Sequence, residues 1–202
     1  MLSENQKQQI QVLKDIQEIS HLCSTITFIW GGFTIDILEG FFLREHHDID
    51  CFTLNLLDIK NDISDLFKRK GYSTEYISDI DMFIINHNGC KAAFNRLETD
   101  KDIAMWRHIG NEGTLYFPRA WLVKVYISFY DIPVLISGME FEYVIKSKVK
   151  LLSPLWELRD KDLEALEYWS KKLKLRDINP EDLFNQVRSD NPYWRKKGYQ
   201  EY

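Results

Sequence analysis

The stretch Thr25–Thr53, TITFIWGGFTIDILEGFFLREHHDIDCFT, constrains the fold more than any other part of this chain. Its opening run, Thr25–Trp30, is β-branched and aromatic and reads as a buried strand halted by Gly31 and Gly32. Residues 33–42 predict a short helix despite Gly40. The segment DIDCFTL (48–54) then alternates Asp48, Asp50 and Phe52 against Ile49, Cys51 and Thr53, which is the period of a strand with two unlike faces. A strand, a glycine turn, a helix and a second strand therefore follow one another within thirty residues or so.

The chemistry of that order is specific. Glycines without Cβ atoms let a ligand approach the backbone closely, and the N–H groups opening the following helix favour phosphate. On one strand face, Asp48 and Asp50 have Cα atoms roughly 6.6 Å apart. Two carboxylates so placed repel unless a cation lies near them. Mg²⁺ suits them, because it takes a few carboxylates and completes its octahedron with water and substrate phosphates. Alone, the glycine pair is an ordinary tight turn and the aspartates are a solvated strand face. Joined to each other and to Arg44 at this spacing, they predict a nucleoside triphosphate site.

The 202 residues suit one domain, or a compact domain with a smaller appendage. A hydrophobic content of 45% and an aromatic content of 14% supply a real core and argue against disorder. No apolar run approaches the roughly 20 residues that cross a bilayer, and the polar N-terminus lacks a signal-peptide core. A cytoplasmic protein is expected. Cys23, Cys51 and Cys90 are too far apart in sequence for a zinc site of the C-x-x-C kind or a disulfide framework, and read as buried thiols. The net charge of −5 argues against a general nucleic-acid binder and is compatible with a small cationic substrate.

Around the central stretch, Ile10, Leu13, Ile16, Ile19 and Leu22 recur at steps of three and predict one apolar helix face over residues 4–22. LLDIKNDISDLFKRKGY predicts a helix ending near Gly71, with Lys68, Arg69 and Lys70 in its last turn. DMFIINHNGCKAAFNRLE predicts a hairpin about an Asn88-Gly89 turn, and residues 133–137 a further strand. SPLWELRDKDLEALEYWSKKLK and NPEDLFNQVRS predict helices, each with a proline near its start. The expected order is helix, strand, helix, strand, helix, hairpin, then mostly helix. The six tryptophans, Trp106, Trp121 and Trp156 among them, are expected chiefly in core or interface positions.

Taken together, Gly31, Gly32, Asp36, Gly40, Arg44, His46, Asp48 and Asp50 resemble the signature of the aminoglycoside and lincosamide nucleotidyltransferases, within the DNA polymerase beta-like nucleotidyltransferase superfamily. The resemblance is dense over about 25 residues and weaker elsewhere. It implies an α+β nucleotidyltransferase fold: a mixed β-sheet backed by helices, with residues 1–145 as the core and 146–202 as a helical C-terminal segment packed on it. It also implies transfer of a nucleoside monophosphate from a nucleoside triphosphate, expected to be ATP, to a hydroxyl of a small antibiotic-like acceptor. Asp48 and Asp50 would be catalytic and hold one or two Mg²⁺ ions. Gly31, Gly32, Arg44, Asp36 and His46 would serve nucleotide binding, with Arg44 pairing to phosphate oxygens. Relatives carry a third carboxylate on the second strand of the hairpin, where this chain has Ala93, and Asn95 stands where they have a histidine. Glu98, Asp79 and Asp81 are the nearby acids, and Glu98 falls on the opposite strand face from Ala93 by parity.

Several residues leave more than one reading open. Asp36 either supports the glycine turn or points to water from its helix. His46 is expected to orient an aspartate or the loop, and His47 to face solvent. Arg159, Lys161 and Asp162 read as a charged helix start. Two other functions compete with transfer to a small molecule. One is a nucleotide-binding protein with impaired or lost catalysis, motivated by Ala93. The other is a nucleotidyltransferase toxin directed at RNA, for which Lys68–Lys70, Lys171–Lys174 and Arg195–Lys197 would form the basic surface.

Overall fold

In the computed structural model, the described residues are 1–107, 113–152 and 157–190, with side chains at 149–152 left aside. The chain folds into two compact units. The first comprises Met1–Leu97 and Val123–Ile136, and the second Glu98–Leu122 and Ser137–Tyr202.

The first unit begins with helix α1, Glu4–Leu22, opened by a capping box in which Ser3 accepts from the Gln6 N–H and Gln6 accepts from the Ser3 N–H. Val12, Leu13, Ile16 and Ile19 are buried along one side. The predicted stripe overruns by one turn, because Leu22 is 59% exposed. Strand β1, Thr27–Trp30, leads into α2, Phe33–Glu39. That helix is shorter than its hydrophobicity predicts, since Gly40 adopts φ +81° and donates its N–H to the Asp36 carbonyl as a left-handed cap. Strand β2, Asp48–Leu54, has the predicted limits, and α3, Leu56–Arg69, ends just ahead of Gly71.

Strand β3, Ser73–Ile77, pairs with β4, Met82–His87, which turns through Asn88 and Gly89, both at positive φ, into β5, Cys90–Asp100. Strands β6 (Ile103–Trp106) and β7 (Leu115–Pro118) belong to the second unit, while β8 (Ile127–Phe129) and β9 (Ile132–Ile136) return to the first. Within the first unit the strand order is β3-β4-β5-β2-β1-β9-β8. β2 runs antiparallel to β1 but parallel to β5, and β9 runs parallel to β1. The sheet is therefore mixed. Ile29, Ile49, Cys51, Ala92, Phe94 and Val134 meet α1, α2 and α3 in one apolar cluster, so one sheet face is sealed by helices. Cys51 and Cys90 are buried free thiols as expected, whereas Cys23 is half-buried.

In the second unit, β6 pairs with β7, and β7 with β10, Arg188–Ser189. Helix α4 covers Met139–Leu152, α5 Asp160–Leu175 and α6 Pro180–Phe184. The sequence predicts mostly helix after the hairpin, with one strand at 133–137; strands β6 to β8, of only three or four residues each, intervene as well, and β10 falls within the segment expected as the last helix, which ends at Phe184. Helix α5 starts at Asp160, and the proline expected near its start, Pro154, lies outside the described residues, as do Trp156 and the basic tail Arg195–Lys197. Asp162 is buried and bonded to Lys146 Nζ at 2.7 Å and to Arg159 Nε at 2.8 Å. Despite burial, those bonds hold its carboxyl well below the ordinary range.

A buried polar junction ties α1 to the end of α3. Asp15 on α1 accepts from the Tyr72 hydroxyl at 2.6 Å and from Lys70 Nζ at 2.9 Å. Burial raises this carboxyl, but the bonds from Tyr72, Lys70 and Gln11 outweigh it and leave it below its ordinary value. Its contribution to stability is therefore in place above the unfolded value of about 3.9 and is lost as pH falls through the lower folded value. Tyr72→Phe is expected to cost about 1.5–3 kcal/mol in urea unfolding at pH 7. The difference between the two proteins should shrink in the same titration repeated near pH 3.

Candidate active site

The second face of the sheet carries the predicted residues. Trp30, the last residue of β1, lies opposite Asp50 in the antiparallel pair, and its ring stacks on Phe52 with centroids 5.0 Å apart. Gly31 follows at φ +81°, where a side chain would cost roughly 1–2 kcal/mol. A Cβ built there would stand 3.1 Å from Asp50 Oδ2. The turn therefore needs glycine for its backbone and for the carboxylate lying against it. The carbonyl of Gly31 accepts from the Thr34 hydroxyl at 2.6 Å and the Thr34 N–H at 3.2 Å, which locks the turn onto the start of α2.

Gly32 is the position before α2. A Cβ there would fall 2.1 Å from Arg44 Nη2 and 3.8 Å from His46 Cε1. The Arg44 guanidinium thus rests on the bare Gly32 backbone. Asp36 does not face water: it is 1% exposed, its Oδ2 meets His46 Nε2 at 2.8 Å, and the same oxygen accepts from the Leu43 N–H at 3.2 Å. The His46 ring also stands edge-on to Phe33. On its other side, the His46 carbonyl accepts from Gln9 Nε2 at 2.7 Å and from Asn5 Nδ2 at 3.0 Å. The loop bearing Arg44 is consequently held between α2 and the first turns of α1. His47 is exposed, as expected.

Asp48 is exposed and Asp50 half-buried, alternating with the fully buried Ile49 and Cys51. Asp48, Asp50 and Gly31 are thereby brought to one end of the sheet. The parallel pairing with β5 sets Asp48 beside Lys91, Asp50 beside Ala93 and Phe52 beside Asn95. Residues paired across neighbouring strands project to the same face, so a methyl group stands next to Asp50. Of the other acids weighed for that place, Asp81 is engaged by Arg96 at 2.7 Å and Tyr76 at 2.8 Å, and Asp79 is exposed on the turn between β3 and β4. Asn95 donates to the Cys51 carbonyl at 3.3 Å. The Cys90 thiol is pushed up to about 11 by burial and then by the nearby Asp48 charge, so it is no nucleophile at neutral pH.

Among the described residues, no three His, Cys, Asp or Glu side chains are grouped closely enough to hold a metal ion. The two carboxylates still fit a Mg²⁺ ion that would draw its remaining ligands from water and a substrate phosphate. Sequence reasoning missed Asn5 and Gln9, whose contact with the loop is long-range. It also missed Lys91, whose place beside Asp48 depends on the long-range parallel register of β2 and β5.

The fold is shared with ANT(2'')-Ia in complex with adenylyl-2''-tobramycin, at a TM-score of 0.67 and 15% identity over 87% of this chain and 94% of that one. A solution structure of the antibiotic-resistance factor ANT(2'')-Ia gives 0.62 and 14% over 88% and 89%. The lincomycin-bound lincosamide antibiotic adenylyltransferase LnuA gives 0.56 and 16% over 77% and 92%. Comparison with curated proteins by sequence gives no match. The fold is that of a nucleotidyltransferase. Residues 12–146, more than half of the chain, match the family described as aminoglycoside-2''-adenylyltransferase, and the chain belongs to that family.

The turn geometry separates two glycine substitutions. Gly31→Ala is expected to lower stability by about 1–2 kcal/mol in urea unfolding, through backbone strain. Gly32→Ala displaces the far end of the Arg44 side chain and otherwise makes ordinary contact with His46, so it should stay within about 1 kcal/mol of the parent. His46→Ala removes the partner of a buried carboxyl and should cost about 1–3 kcal/mol.

Proposed function

We propose that this nucleotidyltransferase transfers a nucleoside monophosphate, with ATP as the donor, to a hydroxyl of a small antibiotic-like acceptor. The observation carrying this reading is the approach of Asp50 Oδ2 to the Gly31 turn while Arg44 lies on Gly32. A carboxylate, a bare backbone and a guanidinium converge there, which is what a metal-bound triphosphate requires.

In this reading Asp48 and Asp50 would hold Mg²⁺, which would supply charge compensation for the phosphates. Arg44 donates to phosphate oxygens in the forked geometry that suits a guanidinium. Gly31 and Gly32 serve nucleotide binding by letting the Asp50 carboxylate and the Arg44 guanidinium lie close to the backbone. Asp36 and His46 serve nucleotide binding indirectly, since their bond fixes the loop that aims Arg44. The acceptor hydroxyl loses its proton to water as its oxygen bonds the α-phosphorus, the bond from that phosphorus to the bridging oxygen breaks, and pyrophosphate leaves. The acceptor class is carried by analogy with the relatives, one holding an adenylylated tobramycin and one lincomycin. A mildly acidic chain also suits a cationic acceptor.

Incubation with labelled ATP, MgCl₂ and a panel of aminoglycosides and lincosamides should yield a labelled acceptor. Asp48→Asn and Asp50→Asn should each lower transfer by about 10²–10³-fold with little change in unfolding midpoint. Absence of transfer to every acceptor would count against the proposal. Ala93 beside Asp50 favours a second reading, nucleotide binding with weak or absent turnover. Calorimetry would then show triphosphate binding without product, and Ala93→Asp should raise turnover.

A further inference from the structure

The parallel register of β2 and β5 brings one more charged group to this sheet face. Lys91 is the direct neighbour of Asp48, as Ala93 is of Asp50. It is exposed, and its ammonium forms no hydrogen bond or ion pair among the described residues. A four-carbon stem readily spans the roughly 4.8 Å between neighbouring strands. Two carboxylates and one ammonium therefore stand together on adjacent strands β2 and β5, with Glu75 of β3 on the same face two strands from β5 and the Arg44 guanidinium beside Gly32.

Resting on the nucleotidyl-transfer reading, we propose that Lys91 is a triphosphate-binding residue, a fixed cation that contacts the phosphates next to the Asp48–Asp50 pair. Without nucleotide, the ammonium offsets the repulsion between the two carboxylates. A divalent ion bound to Asp48 would repel the ammonium and favour its contact with an anion beside the metal, Glu75 being two strands away from β5. A triphosphate supplies that anion, and an amine-bearing acceptor would be driven away from the same spot. With Ala93 uncharged beside Asp50 and Lys91 cationic beside Asp48, the face suits one divalent ion plus a lysine.

Lys91 is exposed, so its replacement leaves the core intact, and its role predicts effects of opposite sign. In calorimetry with α,β-methylene-ATP and Mg²⁺, Lys91→Met should bind the analogue about tenfold more weakly than the parent, as expected for loss of one charge-assisted bond. AMP, which lacks the β- and γ-phosphates, should bind both proteins within about twofold. Mn²⁺ alone, followed by electron paramagnetic resonance, should bind Lys91→Met at least as tightly as the parent, because a neighbouring positive charge has gone. Unchanged analogue affinity, an equal loss for AMP, or weaker Mn²⁺ binding in the variant overturns the assignment of Lys91. Failure of the parent itself to bind the analogue overturns the nucleotidyl-transfer reading and this one with it.

Discussion

Strand β2 is held between an antiparallel neighbour and a parallel one, and the whole candidate site is a consequence of that double pairing. Its antiparallel register with β1 sets Asp50 across from Trp30, hence against the turn at Gly31. Its parallel register with β5 decides what stands on the other side: Lys91 by Asp48, Ala93 by Asp50 and Asn95 by Phe52. A slip of one residue in either pairing would turn both aspartates into the helix-covered core and bring Ile49 and Cys51 out. The apolar cluster around Ile49, Cys51, Ala92 and Phe94 opposes that slip. Burial on one face thus fixes chemistry on the other.

Around that frame, buried polar bonds set the one irregular segment that matters. The loop after Gly40 has no regular ladder of its own, yet Asp36, Gln9 and Asn5 reach its Leu43 N–H, His46 ring and His46 carbonyl. Burying Asp36 without His46 would be costly, and the pairing turns a liability into a constraint on where Arg44 lies. The Asp15 junction between α1 and the end of α3 follows the same rule on the helical side.

Much of this was legible in the sequence, and the reasons are local. The β-branched run, the glycine pair and the alternation of Asp48 to Leu54 are strong short-range signals, and the Asn88-Gly89 turn marks its hairpin unaided. Gly40 was legible as a glycine but not as a left-handed cap, because the apolar residues after it mimic a continuing helix. Strands β6 to β8 span three or four residues each, too few for period to distinguish them from loop. The parallel insertion of β9 beside β1, the partner of Asp36 and the neighbour of Asp48 all depend on contacts between residues distant in the chain, which no window of sequence displays.

The first unit is interrupted: the chain leaves it at Leu97 and returns with Val123–Ile136, whose strand β9 completes the free side of β1. During synthesis on the ribosome, at roughly 5–20 residues per second, β1 must wait several seconds for that late partner. Meanwhile the backbone edge of Phe28 and Ile29 lies open, an invitation to pair with a stranger. Vectorial synthesis therefore delivers the glycine turn and its aspartates early but seals their scaffold late, and molecular chaperones have their opportunity in that interval.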